Sequence, residues 1–503
     1  MRVQEASVLV VGGGPAGLTA AITLASHGID FVLAERGPRP SSVPRANGIS
    51  TWSMELFRSW GLEPQIRAAA ADANVLGWIC ETLASEDGVL MPTGFPSFEQ
   101  AAAISPSAPA VVGQDEVEPV LLRHLRSLGG GEVRFGTELT GFVPRPDGVR
   151  ATLRDLESGD TWMLDAAYMI GSDGAYSSVR RELGLEMRGP GRVADGVSAL
   201  FRAPLWELLD ERRFAIYPIT HPETGGVFVT VSRRDRWVYG VTAAPDELDP
   251  DEFDESEMAR RIRIASGVPG LEPRFERIAS FSYVAEIAER FREGRVLLAG
   301  DAAHRVSPRG ATGMNAAIRD GFDLGWKLAW VLKGSAGPDL LDTYEAERRP
   351  VVEHNALRSV DPEGSVREVA DEIHVDLGGR IAHLWLREGD ERISTLDLVG
   401  PELTLFTGPD GSADQLTPGP LYARAPVATR RLPTVAARGL GIAPGGFLLV
   451  RPDGVPAPIN PLREVDPGIR AASGTGGTPW SSRRRSAAAS ASEAHRRSGA
   501  GSG

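Results

Sequence analysis

Three glycines close to the N-terminus have the spacing of a loop that binds a dinucleotide. Gly12, Gly14 and Gly17 form the pattern G-x-G-x-x-G, and Pro15 and Ala16 lie between the last two. Glycines at this spacing allow a tight turn, the close approach of backbone to a pyrophosphate and close packing of a helix on a strand. The start of the following helix offers free N–H groups and the positive end of its dipole to the phosphates. The pattern predicts a dinucleotide site that includes all five residues.

The residues around these glycines supply the elements and the acid that such a site needs. The apolar run SVLVV predicts a buried strand, a helix follows it up to Gly28, and a second apolar run ends at Glu35. Glu35 can accept hydrogen bonds from a ribose hydroxyl, and the adjacent Arg36 is assigned to the same site. The alternative is a glycine-rich turn that binds no ligand, which the flanking strand, helix and acid disfavour.

Two later segments bring an aspartate to the end of a strand. Asp173 and Gly174 follow the apolar run of YMIGSDGAYSSVR, and Gly300 and Asp301 follow that of RVLLAGDAAH. A carboxylate at a strand end can hold a ribose or ribityl hydroxyl. The alternatives are that Asp173 caps a helix beginning at residue 176 or 177, and that Asp301 caps a turn.

The second of these segments continues into a loop that suits a flavin ring. Pro308 to Gly313 form an irregular stretch, and Met314 and Asn315 open the next helix. A glycine-bearing loop at a helix N-terminus can lie against the ring and stabilise negative charge at its N1–C2 carbonyl edge. Nearby His304 is predicted to have a structural role, in preference to that of a catalytic base.

In this order the three segments resemble the group A FAD-dependent aromatic hydroxylases, the flavoprotein monooxygenases similar to para-hydroxybenzoate hydroxylase, over about residues 7 to 350. Two more positions match that family. Arg45 in VPRANGIS is a position that the family uses near flavin and substrate, and Gln114 in VVGQDEVEPVLLRHL is one that contacts FAD. The phrase SPRGATGMN looks most like hydroxylases of phenolic or polyketide-derived rings.

The resemblance implies FAD bound non-covalently, NADPH or NADH as a transient co-substrate, and O2 as the oxidant. Oxygen would pass from a flavin C4a-hydroperoxide to a small aromatic substrate. The chain departs from the family at Ala311 and Thr312, where many members have a second glycine. Either the side chain narrows the freedom of the flavin to move, or the change is a subfamily variant.

The sequence leaves the catalytic residues of such a reaction open. Arg45 and Pro308 are candidates because the resemblance places them beside the flavin. Tyr217, Tyr239 and His221 are candidates for the base that activates a phenol, since they lie on strands or turns of the predicted substrate sheet. For these three residues, the sequence favours packing in the core or at the rim over the role of the base.

Two rival functions differ from a hydroxylase in testable ways. A flavin-dependent halogenase needs an early lysine and a W-x-W-x-I-P run, but the first lysine is Lys327 and the run is absent. An FAD-binding protein without monooxygenase turnover is the non-enzymatic alternative. NADPH oxidation that no aromatic ligand stimulates would favour this second rival.

Composition limits the other classes of function. The chain has 503 residues, 42% of them hydrophobic and 24% charged, with a net charge of −13, so a nucleic-acid partner held along a basic face is not expected. Its single cysteine, Cys80, favours a reducing compartment, the cytoplasm. No apolar run approaches the roughly 18 residues of a membrane span, and the histidines lack metal-ligand spacing. The sequence therefore predicts a cytoplasmic monomer or homodimer without a metal or a membrane partner.

The predicted fold class is α/β, with a Rossmann-like FAD-binding domain interrupted by an antiparallel-sheet substrate domain and a shortened thioredoxin-like C-terminal region. Alternating stretches such as GGVFVTVS and RWVYGVTA indicate the antiparallel sheet. The predicted ranges are 1–185 for the first part of the FAD-binding domain, with a substrate-domain insert near 75–112; 186–285 for the substrate sheet; 286–393 for the second part of the FAD-binding domain and its helices; 394–455 for the thioredoxin-like region; and 456–503 for an extension that is largely a disordered tail.

Overall fold

The computed structural model describes residues 3–411 and 418–459. Its strands, numbered in chain order, are β1 (Val3–Val11), β2 (Phe31–Glu35), β3 (Asn47–Ile49), β4 (Asn74–Cys80), β5 (Gly88–Met91), β6 (Ala110–Gly113), β7 (Gly131–Phe135), β8 (Thr137–Pro144), β9 (Val149–Asp155), β10 (Thr161–Gly171), β11 (Met187–Arg202), β12 (Phe214–Ile219), β13 (Gly226–Ser232), β14 (Arg236–Ala243), β15 (Arg274–Ala288), β16 (Arg292–Glu293), β17 (Val296–Leu298), β18 (His304–Arg305), β19 (Trp385–Glu388), β20 (Glu391–Ser394), β21 (Leu403–Thr407), β22 (Val427–Arg431) and β23 (Phe447–Val450).

The α-helices of the same residues are α1 (Pro15–Ser26), α2 (Thr51–Ser59), α3 (Glu63–Ala69), α4 (Phe98–Ile104), α5 (Gln114–Leu128), α6 (Ser178–Glu182), α7 (Leu205–Leu209), α8 (Glu255–Ser266), α9 (Gly313–Leu332), α10 (Asp342–Val360), α11 (Val369–Leu377) and α12 (Thr434–Gly439). Within the described ranges, none of them combines the length and the apolar character that a bilayer crossing needs.

The first sheet has a parallel centre in the strand order β16-β17-β10-β1-β2-β7, and β9 and β8 extend it from β10. Residues 8–11 of β1 are all buried, as expected for an apolar run in a strand covered on both faces. Val11 pairs with Gly171 of β10, which pairs in turn with Leu298 of β17. Because these strands are parallel and in register, the loops after β1, β10 and β17 meet at one edge of the sheet. These loops carry the three sequence motifs.

The second sheet is almost entirely antiparallel, in the order β18-β15-β11-β14-β13-β12-β4-β5. Its exception is the parallel pair β12 and β4. One face packs on α8, where Met258 and Ile262 join the large side chains of β12 to β14 in a single apolar cluster. The predicted α/β class, with a Rossmann-like sheet interrupted by an antiparallel one, is confirmed. The insert predicted near 75–112 lies in part in this second sheet, as β4 and β5.

The C-terminal region forms a three-stranded sheet in the order β22-β21-β23. β21 pairs in parallel with β22 and antiparallel with β23. Its buried side chains pack against Trp326 and Trp330 of α9. The thioredoxin-like character of this region remains a prediction. Residues 412–417 and most of the predicted extension, from residue 460 on, lie outside the described residues.

A buried histidine next to this region makes the stability of the fold depend on pH. His383 Nδ1 lies 2.7 Å from Ser394 Oγ, its Nε2 is buried without a hydrogen-bond partner in the described chain, and burial, reinforced by the charge of Arg380, lowers its pKa to about 4. The unfolded chain takes up a proton near the ordinary pKa of 6.5, and the folded chain only near 4. The free energy of unfolding therefore falls as the pH drops through this window, by at most about 1.4 kcal/mol per pH unit.

We expect His383→Gln to flatten that slope, because glutamine can bond Ser394 but does not titrate. Urea unfolding between about pH 4 and pH 7 measures it. His221→Gln, in a half-exposed turn, is the matched control and should keep the slope of the unmodified chain. An unchanged slope in the His383 variant would show that another group causes the acid sensitivity.

Candidate cofactor and substrate site

The loop between β1 and α1 leaves open space where a pyrophosphate would approach. A Cβ on Gly12, whose φ is +107°, would lie 2.2 Å from the carbonyl oxygen of Ser172, and one on Gly17 would lie 2.0 Å from that of Gly12. Both glycines are therefore required by the chain itself. Gly14 differs, because a Cβ there would meet no atom within 4 Å. It is the N-cap of α1, whose first turn has no side-chain cap, so the geometry fits a phosphate group.

Glu35 orders this loop from the end of β2. Its Oε2 accepts a hydrogen bond of 2.6 Å from the Gly13 N–H, and its Oε1 accepts one of 2.6 Å from the Gly37 N–H. The carboxylate is therefore fixed beside the glycine loop, in the position that the sequence predicted for a ribose ligand. The neighbouring Arg36 is exposed.

Asp301 is the most exposed carboxylate of the three motifs, and it has no hydrogen-bond partner among the described residues. Its side chain stays accessible to solvent, yet the protein surrounds it closely enough that burial raises its pKa. The positive charges of His304, Arg305 and Arg45 oppose this rise. Asp301 is thus a solvent-accessible carboxylate whose oxygens are not used by the described chain. Such a group has free lone pairs for ligand hydroxyls and fits the ribityl or ribose part of FAD.

A buried aspartate that sequence reasoning missed supports Asp301 from behind. Asp320 Oδ2 accepts from the Gly300 N–H at 3.0 Å and lies 2.6 Å from His304 Nε2, while its Oδ1 accepts from Arg348 Nε at 2.8 Å. These contacts hold the turn that presents Asp301. The structural role predicted for His304 agrees with this position. The same helix also carries Arg319, Asp323 and Lys327, so a charged residue in its sequence did not single out Asp320.

Arg45 and Gln114 lie close to a second buried acid, Glu118, which the sequence also did not single out. Gln114 Nε2 donates to Glu118 Oε1 at 2.6 Å, and the Gln114 backbone N–H donates to Ala46 at 2.9 Å. Burial raises the pKa of Glu118, and the charge of Arg45 partly opposes that rise. Arg45 itself is exposed and acts electrostatically on both Glu118 and Asp301. The structure thus brings together residues that are distant in sequence.

The second sheet holds the segment that precedes Arg45. Arg236 of β14 is buried, and its Nη2 donates to the Ser42 carbonyl at 3.0 Å. Its Nη1 bonds Asp115, the residue after Gln114, and its Nε donates to Glu276 at 2.9 Å. A single guanidinium therefore joins the substrate sheet to the backbone around both predicted FAD contacts. One arginine among 52 gives no sequence signal for this role.

The loop from Pro308 to Gly313 is held on its inner side and open on its outer side. Asn315 Nδ2 donates to the carbonyls of Gly48 at 3.1 Å and Ala311 at 2.9 Å. Pro308 is exposed, and α9 begins at Gly313 without a side-chain cap. Met314 and Asn315 are buried at the start of the helix. The free N–H groups of this helix end fit the electron-rich edge of a flavin.

Ala311 is the strained residue of this loop, with φ at +51°. Left-handed backbone costs a residue with a Cβ roughly 1–2 kcal/mol, whereas glycine adopts it freely. We expect Ala311→Gly to raise the free energy of unfolding by about 0.5–1 kcal/mol, since part of the gain is offset by the entropy of glycine in the unfolded chain. Denaturant unfolding of the apoprotein measures it. Ala443→Gly, in an exposed loop without positive φ, should be destabilising instead; the same sign in both variants would rule out strain relief.

The DG motif, formed by Asp173 and Gly174, differs from its prediction in the position at which the following helix begins. The helix after it begins at Ser178, and its N-cap is Ser177, whose hydroxyl accepts from the Arg180 N–H at 3.0 Å. Asp173 adds to this first turn, because its carboxylate accepts from the N–H groups of Ser178 at 2.7 Å and Val179 at 3.2 Å. Arg180 of this helix is buried and donates to the carbonyls of Ala302 at 3.0 Å and Ala175 at 3.2 Å. It therefore joins the DG loop, which contains Gly174, to the turn that carries Asp301.

Tyr217 and Tyr239 are core residues in this structure, which corrects the prediction of a catalytic role. Both side chains are fully buried in the cluster against α8. The Tyr217 hydroxyl donates to the Arg212 carbonyl at 2.8 Å, and the Tyr239 hydroxyl donates to that of Thr224 at 2.7 Å. Burial raises both pKa values, that of Tyr239 to about 12. Neither hydroxyl is free for a ligand, because strand alternation turns these side chains toward the helix.

The opposite face of the second sheet is apolar and only half-buried. Val197, Ala199 and Phe228 point into the cluster on α8. The alternate positions are half-exposed and carry small or aliphatic side chains: Ser198, Ile216, Val227, Val229, Val238 and Gly240. A flat, weakly polar surface of this kind suits an aromatic ring system.

Comparisons with known proteins agree with this geometry. A family model described as "FAD binding domain" matches residues 5–359. A putative polyketide hydroxylase of Streptomyces halstedii is 34% identical over 93% of this chain and 96% of that protein, and the tetracenomycin A2 monooxygenase-dioxygenase of Streptomyces glaucescens is 33% identical over 90% and 93%. The crystal structure of a ternary complex of aklavinone-11 hydroxylase with FAD and aklavinone matches with a TM-score of 0.81 and 31% identity, covering 92% of this chain and 96% of that one.

Proposed function

Since the chain belongs to the FAD-binding-domain family of flavoprotein aromatic hydroxylases, we propose that it uses NADPH or NADH and O2 to hydroxylate a phenolic or polyketide-derived aromatic ring. One oxygen atom enters the ring and the other leaves as water, while the pyridine nucleotide is oxidised. The enzyme is an FAD-dependent aromatic monooxygenase. The proposal concerns its electron donor and its substrate.

The observation that carries the proposal is the meeting of three motifs at one sheet edge around an unpaired carboxylate. The loops after β1, β10 and β17 supply the open position at Gly14, the carboxylate of Asp173 at the first turn of α6, and the accessible Asp301. The uncapped start of α9 at Gly313 follows from the same segment. Together these groups match the pyrophosphate, the sugar hydroxyls and the ring edge of FAD.

When bound, FAD would supply the redox chemistry, namely acceptance of hydride from the pyridine nucleotide and activation of O2. The chain's own residues bind and orient. The α1 N-terminus at Gly14 and Ala16 would hold the pyrophosphate, and Glu35 and Asp301 would accept from sugar and ribityl hydroxyls. The N–H groups at Gly313 and Met314 would stabilise negative charge on the ring.

The substrate is expected between the flavin loop and the half-exposed face of the second sheet. That face offers aliphatic contacts from residues such as Ile216 and Val238. None of the six half-exposed positions named above carries a charged side chain. An aromatic substrate bound there would exclude water from the flavin. This exclusion is needed because, in contact with water, the activated oxygen is lost as hydrogen peroxide. The matched aklavinone hydroxylase complex supports a fused-ring ligand of this kind.

The test combines turnover with product mass. FAD-loaded protein is supplied with NADPH and, in parallel, NADH, and a panel of phenolic and fused-ring polyketides including aklavinone is added. We expect at least one ligand to stimulate nucleotide oxidation and to yield a product heavier by one oxygen atom. Nucleotide oxidation that yields only hydrogen peroxide with every ligand would favour the rival, an FAD-binding protein without monooxygenase turnover.

A further inference from the structure

Arg358 is a buried arginine that contacts four separate segments of the molecule. It lies near the end of α10 and is 4% exposed. Its Nε donates to the Gly364 carbonyl at 2.6 Å, its Nη2 donates to the Thr93 carbonyl at 2.7 Å, and its Nη1 lies 3.0 Å from Glu372 Oε2. Burial lowers its pKa, and the charge of Glu372 opposes this change. All three nitrogens of the guanidinium are thus engaged.

The fourth contact is with the flavin-facing loop. A Cβ on Gly310 would lie 2.2 Å from the Arg358 Cζ, so the guanidinium lies directly against the loop backbone at this residue. The next residue of α10 strengthens the attachment, because Ser359 accepts from Arg309 Nη1 at 2.7 Å and its Oγ accepts from the Ser307 N–H at 2.9 Å. The end of α10 therefore holds the loop in place through Arg358 and Ser359.

The Thr93 contact gives this support a second function. Thr93 follows β5, the edge strand of the second sheet, and its own hydroxyl donates to Val75 of β4 at 2.9 Å. The guanidinium thus lies between the flavin-facing loop and a segment tied to the substrate sheet. A rigid, planar group with fixed donors keeps the distance between two such segments constant.

From this geometry we propose that Arg358 is a positioning residue, which sets the place of the loop around Gly310 against the flavin and in register with the substrate sheet. The proposal rests on the proposed function for its meaning in catalysis. The dependence of FAD binding on the contact between Arg358 and Gly310 can be measured without turnover.

The experiment is a double-mutant cycle of Gly310→Ala and Arg358→Met, read out as the FAD dissociation constant and the visible circular dichroism of the bound flavin. Alone, Gly310→Ala forces the loop off the guanidinium and should weaken FAD binding about tenfold. In the Arg358→Met background the loop has room for the extra methyl group. There, Gly310→Ala should raise the FAD dissociation constant by a factor at least about five times smaller than in the unmodified chain. The strain of alanine at a φ of +82° is present in both backgrounds and cancels.

Two further variants separate positioning from a general loss of stability. Arg349→Met removes another arginine of α10, which bonds Glu345 and the Ala288 carbonyl but not the loop, and should leave the flavin dichroism unchanged. Arg358→Lys keeps the charge next to Glu372 without the planar fork, and should alter the dichroism while the protein stays folded. It replaces methionine in the cycle if Arg358→Met does not fold.

Additive effects within about twofold in the cycle, or a dichroism that Arg349→Met alters as much as Arg358→Lys, would overturn the proposal. These readouts need only bound FAD, so failure to find an aromatic substrate would count against the proposed function and not against Arg358. Once a substrate is known, Arg358→Lys should raise the fraction of nucleotide oxidation that ends as hydrogen peroxide.

Discussion

Replacing Gly14 by valine is expected to abolish FAD binding while the apoprotein keeps its fold. The backbone of Gly14 is extended, with φ at −81°, a conformation that valine adopts without strain. No atom lies within 4 Å of a Cβ at this position, so the protein itself has room for a side chain. The pyrophosphate of FAD needs the same room, because it must reach the N–H groups of α1. We expect the FAD dissociation constant to rise at least about 100-fold, which corresponds to about 2.7 kcal/mol of binding free energy.

Two controls make this result specific. Gly270→Val introduces the same side chain at an equally open but distant position and should leave FAD binding unchanged. Gly17→Val should reduce both FAD binding and the thermal midpoint of the apoprotein, since its side chain would collide with the Gly12 carbonyl. Tight FAD binding by the Gly14 variant would mean that the pyrophosphate lies elsewhere.

Replacing Arg451 by methionine should have the largest effect on stability. Three carboxylates, Asp323, Glu347 and Asp453, meet between α9, α10 and the turn after β23, and the cations among them are Lys327 and Arg451. Arg451 Nη1 lies 2.7 Å from Glu347 Oε1, and its other nitrogens bond Asp453. Without it, three acids share one ammonium group in a largely buried place. We expect a loss of about 3 kcal/mol in the free energy of unfolding.

The pH dependence of that loss identifies its cause. Burial acts to raise the pKa of Glu347, but the hydrogen bond from Arg451 and the charge of Lys327 hold it at about 2. The stability that this depressed pKa contributes is present above the ordinary value of 4.5 and disappears as the pH falls toward 2. The difference between the unmodified chain and the variant should therefore be full at neutral pH and shrink in acid. Denaturant unfolding at several pH values measures it.

Arg430→Met, an exposed arginine of β22 in the same region, is the control and should change the stability by less than about 0.5 kcal/mol. A loss in the Arg451 variant that stays constant from neutral to acid pH would point to lost packing on Trp326 instead of lost charge pairing.

The chain's local pattern was enough to identify the cofactor-binding elements. Gly12, Gly14 and Gly17 lie in the strand–turn–helix unit that the sequence predicts, because that unit depends only on neighbouring residues. Asp301 follows a buried strand, as its local sequence also predicts. Motifs of this kind carry their structural context in adjacent residues.

Residues that act across the fold gave no comparable signal. Arg236, Arg358 and Asp320 make contacts that span 194, 265 and 20 positions of sequence, respectively, and no local period marks them. Tyr217 and Tyr239 were misassigned because alternation along a strand shows that two faces exist without showing which one meets the helix. Arg180 is a further example of a residue that acts across the fold, since its buried guanidinium bonds a carbonyl of the turn before His304, more than 100 residues away.

The sequence by itself determined the FAD-binding elements, the α/β class and the family, because strand, turn and helix signals are local and recur with fixed spacing. Only the tertiary structure decided how the site is built. The in-register pairing of β1, β10 and β17 brings the three loops to one edge, and buried ionic contacts from distant helices hold them there. Those contacts depend on distances through space, which a linear pattern does not specify.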